Sequence, residues 1–385
     1  MKLLSTAQCS LSDDVALAYL TDQLIAYIGN KRKLLGLIRQ AIQQTGLTGG
    51  VFFDMFAGSG SVSRLAKHVG FRVIANDWEP YTRFINGAYI ATNQPPAFKA
   101  FGGMEQAVRH LNALPGHRGY IATHYCPCDD EAPDLDSERM FFTQENGQRL
   151  DAMREEVETL WLSGALTEDE YTVLVAALVW GASWCSNTSG VFKGFHRGWG
   201  GATKTAWYRI KARLEIRPPI LLDNGQKNMV YQQDAQTLAP EVECDIAYLD
   251  PPYNQHQYGA NYHFLNTMAL WDKPEISPRF DPATIGFKSA IRHDWRTARR
   301  SAYCSRQKAE AELTLLLASL RAKWVLMSYS TDGMIPLENL TRLLSTHGRL
   351  TWVQKDYKRY RVSTQRPSAQ AFTSEFVLIL EMGER

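Results

Sequence analysis

Residues 245–253, Asp-Ile-Ala-Tyr-Leu-Asp-Pro-Pro-Tyr, constrain this chain more than any other stretch. The run Ile246-Ala247-Tyr248-Leu249 has the length and composition of a buried strand, and it stops at an acid followed by two prolines. The strand therefore delivers Asp250 to its carboxyl end, the edge of an open α/β sheet where ligands sit. Both prolines lock φ at about −65° and offer no N–H, so the backbone is rigid there and presents only acceptors. Asp250 and the Pro251 carbonyl can together accept two hydrogen bonds from one amino group, with the Tyr253 ring beside them. Such a socket suits a flat group bearing NH2. A bare Asp-Pro pair would read as a strand ending in a turn; the apolar strand before it and the aromatic after it favour a site.

The tetrad Asp250-Pro251-Pro252-Tyr253 resembles the catalytic motif of the Dam-like, alpha-group N6-adenine DNA methyltransferases. The resemblance implies methyl transfer from S-adenosylmethionine to N6 of an adenine extruded from double-stranded DNA, with all four residues catalytic. It also implies that Asp250 lies near the methionine end of the cofactor. No covalent enzyme intermediate is required, and no cysteine is placed to form one.

Upstream, Gly29-Asn30 reads as a turn, and Lys31-Arg32-Lys33 opens a helix continuing through Ile38 and Ile42. Glycine beside lysine at a helix start can bind an anion, because free N–H groups and the ammonium point the same way. Members of the family carry an aromatic residue before Gly-x-Lys, both contacting the cofactor, and Tyr27 and Lys31 match those positions. Tyr27 replaces the more frequent tryptophan, and Asn30 a second glycine.

A strand at 51–53, a turn at Gly58-Ser59-Gly60, a helix from Ser61 and a second strand at 71–75 then build a nucleoside-binding unit. Asp77 lies about twenty residues beyond the glycine turn, where a ribose-binding carboxylate is expected. A nicotinamide-dependent oxidoreductase would share this unit, but its third glycine is missing and Asp54 would repel a pyrophosphate. An amino-acid tail bearing an ammonium suits Asp54 better. The stretch matches the family's cofactor loop, with Asp54, Phe56, Gly58 and Gly60 at the ligand. Asp234, ending a strand at 229–234, matches the family motif that touches the cofactor's adenine.

The nucleotide-fold rhythm disappears after Tyr89. We expect an α/β fold, a Rossmann-like S-adenosylmethionine-dependent methyltransferase domain formed by residues 1–90 and 227–385, interrupted by a largely helical DNA-recognition insert at 91–226. Within the insert, residues 129–136 carry an acidic patch read as a solvated loop, and residues 143–178 read as helical, with Leu150, Met153, Val157, Leu160 and Trp161 at core spacing. Residues 187–199 interleave glycines with Phe192, Phe195 and Trp199 and with Lys193, His196 and Arg197, and further basic residues follow at 204, 209, 211, 213 and 217. Such a segment can enter a groove, contact phosphates and wedge a base step; the alternative is a solvated hairpin. It resembles the DNA-contacting hairpin of the family, which makes Asn187, Lys193, His196 and Arg197 the DNA-binding candidates. A second basic segment, 286–308, reads as another phosphate-binding surface.

Residues 258–271 read as a helix lining the catalytic pocket. Residues 324–329 form a strand, and the turn Ser330-Thr331-Asp332-Gly333 resembles a family motif beside the target base. Residues 351–362 and 375–381 read as an antiparallel hairpin at the sheet edge.

The 385 residues, 45% apolar, can bury a sizeable core in one large domain with an insert or in two domains. A net charge of +2 does not by itself announce a nucleic-acid binder. The absence of a run of about 18 apolar residues and of a signal pattern leads us to expect a cytoplasmic protein with no membrane partner. The six cysteines are scattered apart from Cys126 and Cys128, which lack a second ligand pair, so no metal is expected. Methylation of cytosine N4, of RNA or of a protein amide would use a similar socket, and the motif order favours DNA adenine. Such an enzyme would pair functionally with a restriction endonuclease.

Overall fold

The computed structural model describes residues 13–201, 204–281, 289–291, 295, 299–358 and 372–383. Seven strands form one sheet: β1 (Val51–Asp54), β2 (Arg72–Asn76), β3 (Met229–Tyr231), β4 (Glu243–Leu249), β5 (Arg321–Ser330), β6 (Gly348–Lys358) and β7 (Phe372–Met382). Their order is β3-β2-β1-β4-β5-β7-β6. The pairs β1–β2, β1–β4, β2–β3 and β4–β5 are parallel, while β7 runs antiparallel to both β5 and β6. The last two strands are therefore antiparallel and at the sheet edge as expected, with the returning strand β7 between β5 and the edge strand β6.

The central strands are apolar on both faces because helices cover both. Phe52, Ile246, Tyr248 and Leu326 face one apolar cluster, and their neighbours Phe53, Ala247, Leu249 and Val325 face the other. The second cluster is closed by the helices Ala309–Ser319 and Leu337–Ser345. The first is continuous with the insert: Leu150, Met153 and Val157 of the helix Gln144–Leu162, and Val173, Leu174 and Leu178 of Glu168–Cys185, are buried in the same cluster as Phe52 and Ile246.

The expected helical stretch at 143–178 is two helices. The first ends at Leu162, and Thr167 starts the second with a reciprocal cap, its hydroxyl accepting from the Glu170 N–H while the Glu170 carboxylate accepts from the Thr167 N–H. Trp161 is only partly covered, stacked on Tyr171 with ring centroids 4.8 Å apart. The stretch 258–271 is likewise two short helices, Tyr258–Asn261 and His263–Leu270, and the second is buried along nearly its whole length.

Candidate active site

The parallel strands end side by side, and each delivers a polar residue to the same edge: Asp54 ends β1, Asp77 follows β2, Asp234 lies beyond β3 and Asp250 follows β4. Between them lies a cavity of about 300 Å³, within the range of small-ligand pockets. Its walls include Tyr27, Phe56, Asp77, Asp234, Asp250 and Tyr253. A smaller recess beside it is lined by Lys31, Asp54, Ser59 and Tyr248, and shares Tyr27 and Asp250 with the main cavity.

Lys31 is only 4% exposed, and its ammonium lies 3.1 Å from Asp250 Oδ1 and 4.9 Å from the centre of the Tyr253 ring. Burial alone would lower the Lys31 pKa; Asp250, Tyr253 and Glu375 outweigh it and keep the group charged. For Asp250 burial dominates and raises the carboxyl above its ordinary range, with Lys31 opposing. No described residue donates to the Pro251 carbonyl, and the backbone turn is fixed from outside by the Met334 N–H, which donates to Tyr253 O at 3.2 Å. The Pro251 carbonyl is thus unspent, while Asp250 Oδ1 is engaged by Lys31.

Tyr27 packs against the glycine turn. A Cβ added to Gly58, whose φ is +51°, would meet the Tyr27 ring at 2.7 Å, so only glycine allows this approach. Gly60, also at positive φ, starts the helix Ser61–His68. The loop at 27–30 is held by residues that follow the catalytic tetrad: the Ile28 N–H donates to the Tyr262 hydroxyl (2.8 Å) and the Tyr258 hydroxyl donates to Ile28 O (3.1 Å). Tyr27 also stacks on Tyr262 at 5.2 Å. The loop at 27–30 is thus tied to the segment that follows residue 253.

Asp77 accepts from the Gly58 N–H (2.8 Å) through one oxygen and from the Glu79 N–H (2.9 Å) through the other, which orients the carboxylate at the cavity wall. Burial raises its pKa against those bonds and against Arg299. Burial likewise pushes Asp54 up to about 7, although the Ser63 hydroxyl donates to it at 2.7 Å; Asp250 and Asp77 add repulsion. Asp234 is mostly spent as a cap, accepting from the Gln236 (2.9 Å) and Thr237 (3.3 Å) N–H groups of the helix Ala235–Leu238. It still borders the cavity.

Several lining residues escaped the sequence reading. Trp78 and Glu79 directly follow Asp77, and their position was the available signal. Arg299 had no local signal: within a segment read as a phosphate-binding surface, it turns instead to the cavity, donating to Trp78 O (2.6 Å) and lying over the Trp78 and Trp295 rings. Lys288, Arg292 and Arg296 of that segment lie outside the described residues.

The DNA-binding candidates do not border the cavity. Asn187 is fully buried, its amide donating to Met140 O (2.9 Å) and His196 O (3.0 Å) and its carbonyl accepting from the Gly200 N–H (3.0 Å), so its polar atoms are spent on shaping the loop. Nor do residues 187–201 form a hairpin; they are a succession of turns pinned by buried Phe192 and Trp199. Lys193 and Arg197 are exposed, with Arg197 paired to Asp136 at 3.0 Å, and His196 is half-buried. The acidic patch is not simply solvated, since Glu131 pairs with Lys211 and Asp130 accepts from the Gln144 N–H. The loop is tied to the catalytic side as well: the Phe192 N–H donates to Asn261 O (2.7 Å), and His263 Nε2 lies 2.8 Å from Phe192 O.

No described helix is long and apolar enough to cross a membrane. Residues 27–279 match the family model of the D12 class N6 adenine-specific DNA methyltransferase. The chain is 33% identical to the type II methyltransferase M.NlaIII of Neisseria lactamica, over 92% of this chain and 98% of that protein. It is 28% identical to the type II methyltransferase M.CviAII of Paramecium bursaria Chlorella virus 1, over 88% and 93% of the two chains. With the modification methylase LlaI of Lactococcus lactis subsp. lactis it shares 28% over 92% of this chain but only 54% of that longer protein. The chain belongs to the D12 class of N6 adenine-specific DNA methyltransferases.

Proposed function

We propose that the cavity binds S-adenosylmethionine beside an adenine extruded from duplex DNA, and that residues 250–253 activate the adenine's amino group. The observation that carries this reading is the Asp250 carboxylate, largely covered and held by Lys31 at the rim of the cavity that Tyr27 and Asp77 also line. The cavity and its adjoining recess fit such a cofactor: Asp77 and Asp250 line the cavity, Asp54 the recess, and the pKa values of all three are raised, an arrangement relieved by a cationic ligand. Asp77 would hold the ribose, Tyr27 and Phe56 the apolar body, and Asp54 the ammonium of the amino-acid tail. The bound cofactor supplies an electrophilic methyl group on a positively charged sulfur.

The chain's own task is to prepare N6, whose lone pair is delocalised into the adenine ring and is therefore a poor nucleophile. Asp250 and the Pro251 carbonyl accept its two N–H groups and localise the lone pair, while Tyr253 covers the base. One proton leaves as the amine becomes secondary, and Asp250, raised in pKa by burial, is the acceptor at hand. The rigid Pro251-Pro252 backbone holds this geometry before the base arrives.

Residues 91–226 serve as the target-recognition part, with Lys193, His196 and Arg197 toward DNA. The names of the relatives support a place in a restriction-modification pair, in which methylation protects DNA from a nuclease of the same specificity. Calorimetric titration with S-adenosylmethionine tests the cofactor assignment: the wild type binds it and Asp77→Ala binds it more weakly. Absence of binding, or unchanged affinity in a folded Asp77→Ala protein, contradicts it.

A further inference from the structure

We propose that Glu375 is a positioning residue for methyl transfer, acting on Asp250 through Lys31. The proposal rests on the reading of Asp250 as the acceptor for the amine. Glu375 lies on β7, opposite Ser330 of β5 and Lys355 of β6 in register. Its side chain is 19% exposed, and Oε2 lies 4.0 Å from Lys31 Nζ. This oxygen is buried and accepts no hydrogen bond from the described residues, and Lys31 is the one cation within ion-pair distance of Glu375 among them. Burying a carboxylate oxygen without a hydrogen bond is costly, so packing gives no reason to keep it there.

The reason lies on the other side of Lys31. A nearly buried ammonium facing Asp250 alone would form a closed pair, and a substrate amine would have to compete with a full positive charge for the same oxygens. With a second carboxylate at 4.0 Å against 3.1 Å, Glu375 draws on the ammonium about three quarters as strongly as Asp250 does. Lys31 then anchors Asp250 without monopolising it. Among the described residues the charged groups facing Glu375 are Lys31, Asp250, Asp332 and, directly across on β6, Lys355; the two carboxylates repel it. The insertion of β7 next to β5 brings Glu375 to this position, since a hairpin added beyond the sheet edge would leave it far from β4.

The test compares Glu375→Gln, Lys31→Met, the double variant and Asp250→Asn, each checked for folding by circular dichroism, in single-turnover methylation across pH with S-adenosylmethionine and DNA saturating. Glu375→Gln slows the chemical step by about ten- to a hundredfold. Its acid limb moves to lower pH by about one unit, because the Lys31 charge now falls wholly on Asp250. In the Lys31→Met background the same substitution adds little. Wild-type rate and pH profile in Glu375→Gln beside an inactive Asp250→Asn would overturn the role of Glu375 and leave Asp250 standing. A slow Glu375→Gln whose acid limb stays put, and whose defect persists without Lys31, would also overturn it. A fully active Asp250→Asn would instead remove the reading beneath it.

Discussion

Cofactor affinity should depend on pH through Asp54. The side chain is almost wholly buried, and burial, opposed by the Ser63 hydroxyl and reinforced by Asp250 and Asp77, pushes its pKa from 3.8 up to about 7. If the ammonium of S-adenosylmethionine meets the ionised form, then below about pH 7 each binding event must displace a proton, and affinity falls about tenfold per unit. Lowering the pH from about 7 to about 5 therefore weakens binding roughly fiftyfold. The folding equilibrium carries the same group with the opposite sense. A folded pKa above the unfolded one means that the native protein holds more protons, so the ligand-free protein loses stability as pH rises from 3.8 to about 7. Calorimetry at about pH 6 in two buffers of different ionisation enthalpy counts the proton: close to one released per ligand in the wild type, close to none in Asp54→Asn. Affinity that stays flat across this range, or an unchanged slope in Asp54→Asn, would refute the assignment.

Asp250→Ala removes an acceptor needed as the amine becomes nucleophilic and should cost at least about a hundredfold in single-turnover methylation. Gly58→Ala places a methyl group against the Tyr27 ring at a positive φ, a cost of about 1–3 kcal/mol; thermal unfolding and cofactor titration should both show it, and Tyr27→Ala should relieve part of it. Lys193→Ala should weaken binding to all duplexes alike and make the salt dependence shallower by about one unit if Lys193 contacts phosphate, whereas a base contact at Arg197 would relax discrimination at one position by about 1–3 kcal/mol. Binding titrations at several salt concentrations separate the two, and wild-type behaviour in both variants would move recognition away from this loop.

The catalytic edge was legible because its signals are local. A short apolar strand ending at Asp-Pro-Pro, a glycine turn between strand and helix, and an acid after the second strand each state their geometry within a few residues, and the structure places Asp77 and Asp250 on one cavity and Asp54 in the recess beside it. What escaped depends on pairing between distant segments. Nothing within 372–382 announces that this strand enters between β5 and β6, yet that choice alone puts Glu375 beside Lys31. Tyr258 and Tyr262 showed a four-residue spacing, which says they share a helix face, not that they hold Ile28. Asn187 entered as a DNA-binding candidate through the family resemblance, and no local signal said that its side chain would be buried and spent on the backbone of its own loop.

The central claim, that residues 250–253 direct a methyl group to N6 of adenine, is tested most directly by the chemistry of the product. Duplex DNA incubated with the purified protein and methyl-labelled S-adenosylmethionine, digested to nucleosides and separated by mass spectrometry, should carry its label as N6-methyladenine, and the label should disappear with Asp250→Ala. Label in N4-methylcytosine, or N6-methyladenine formed as readily by Asp250→Ala as by the wild type, would contradict it.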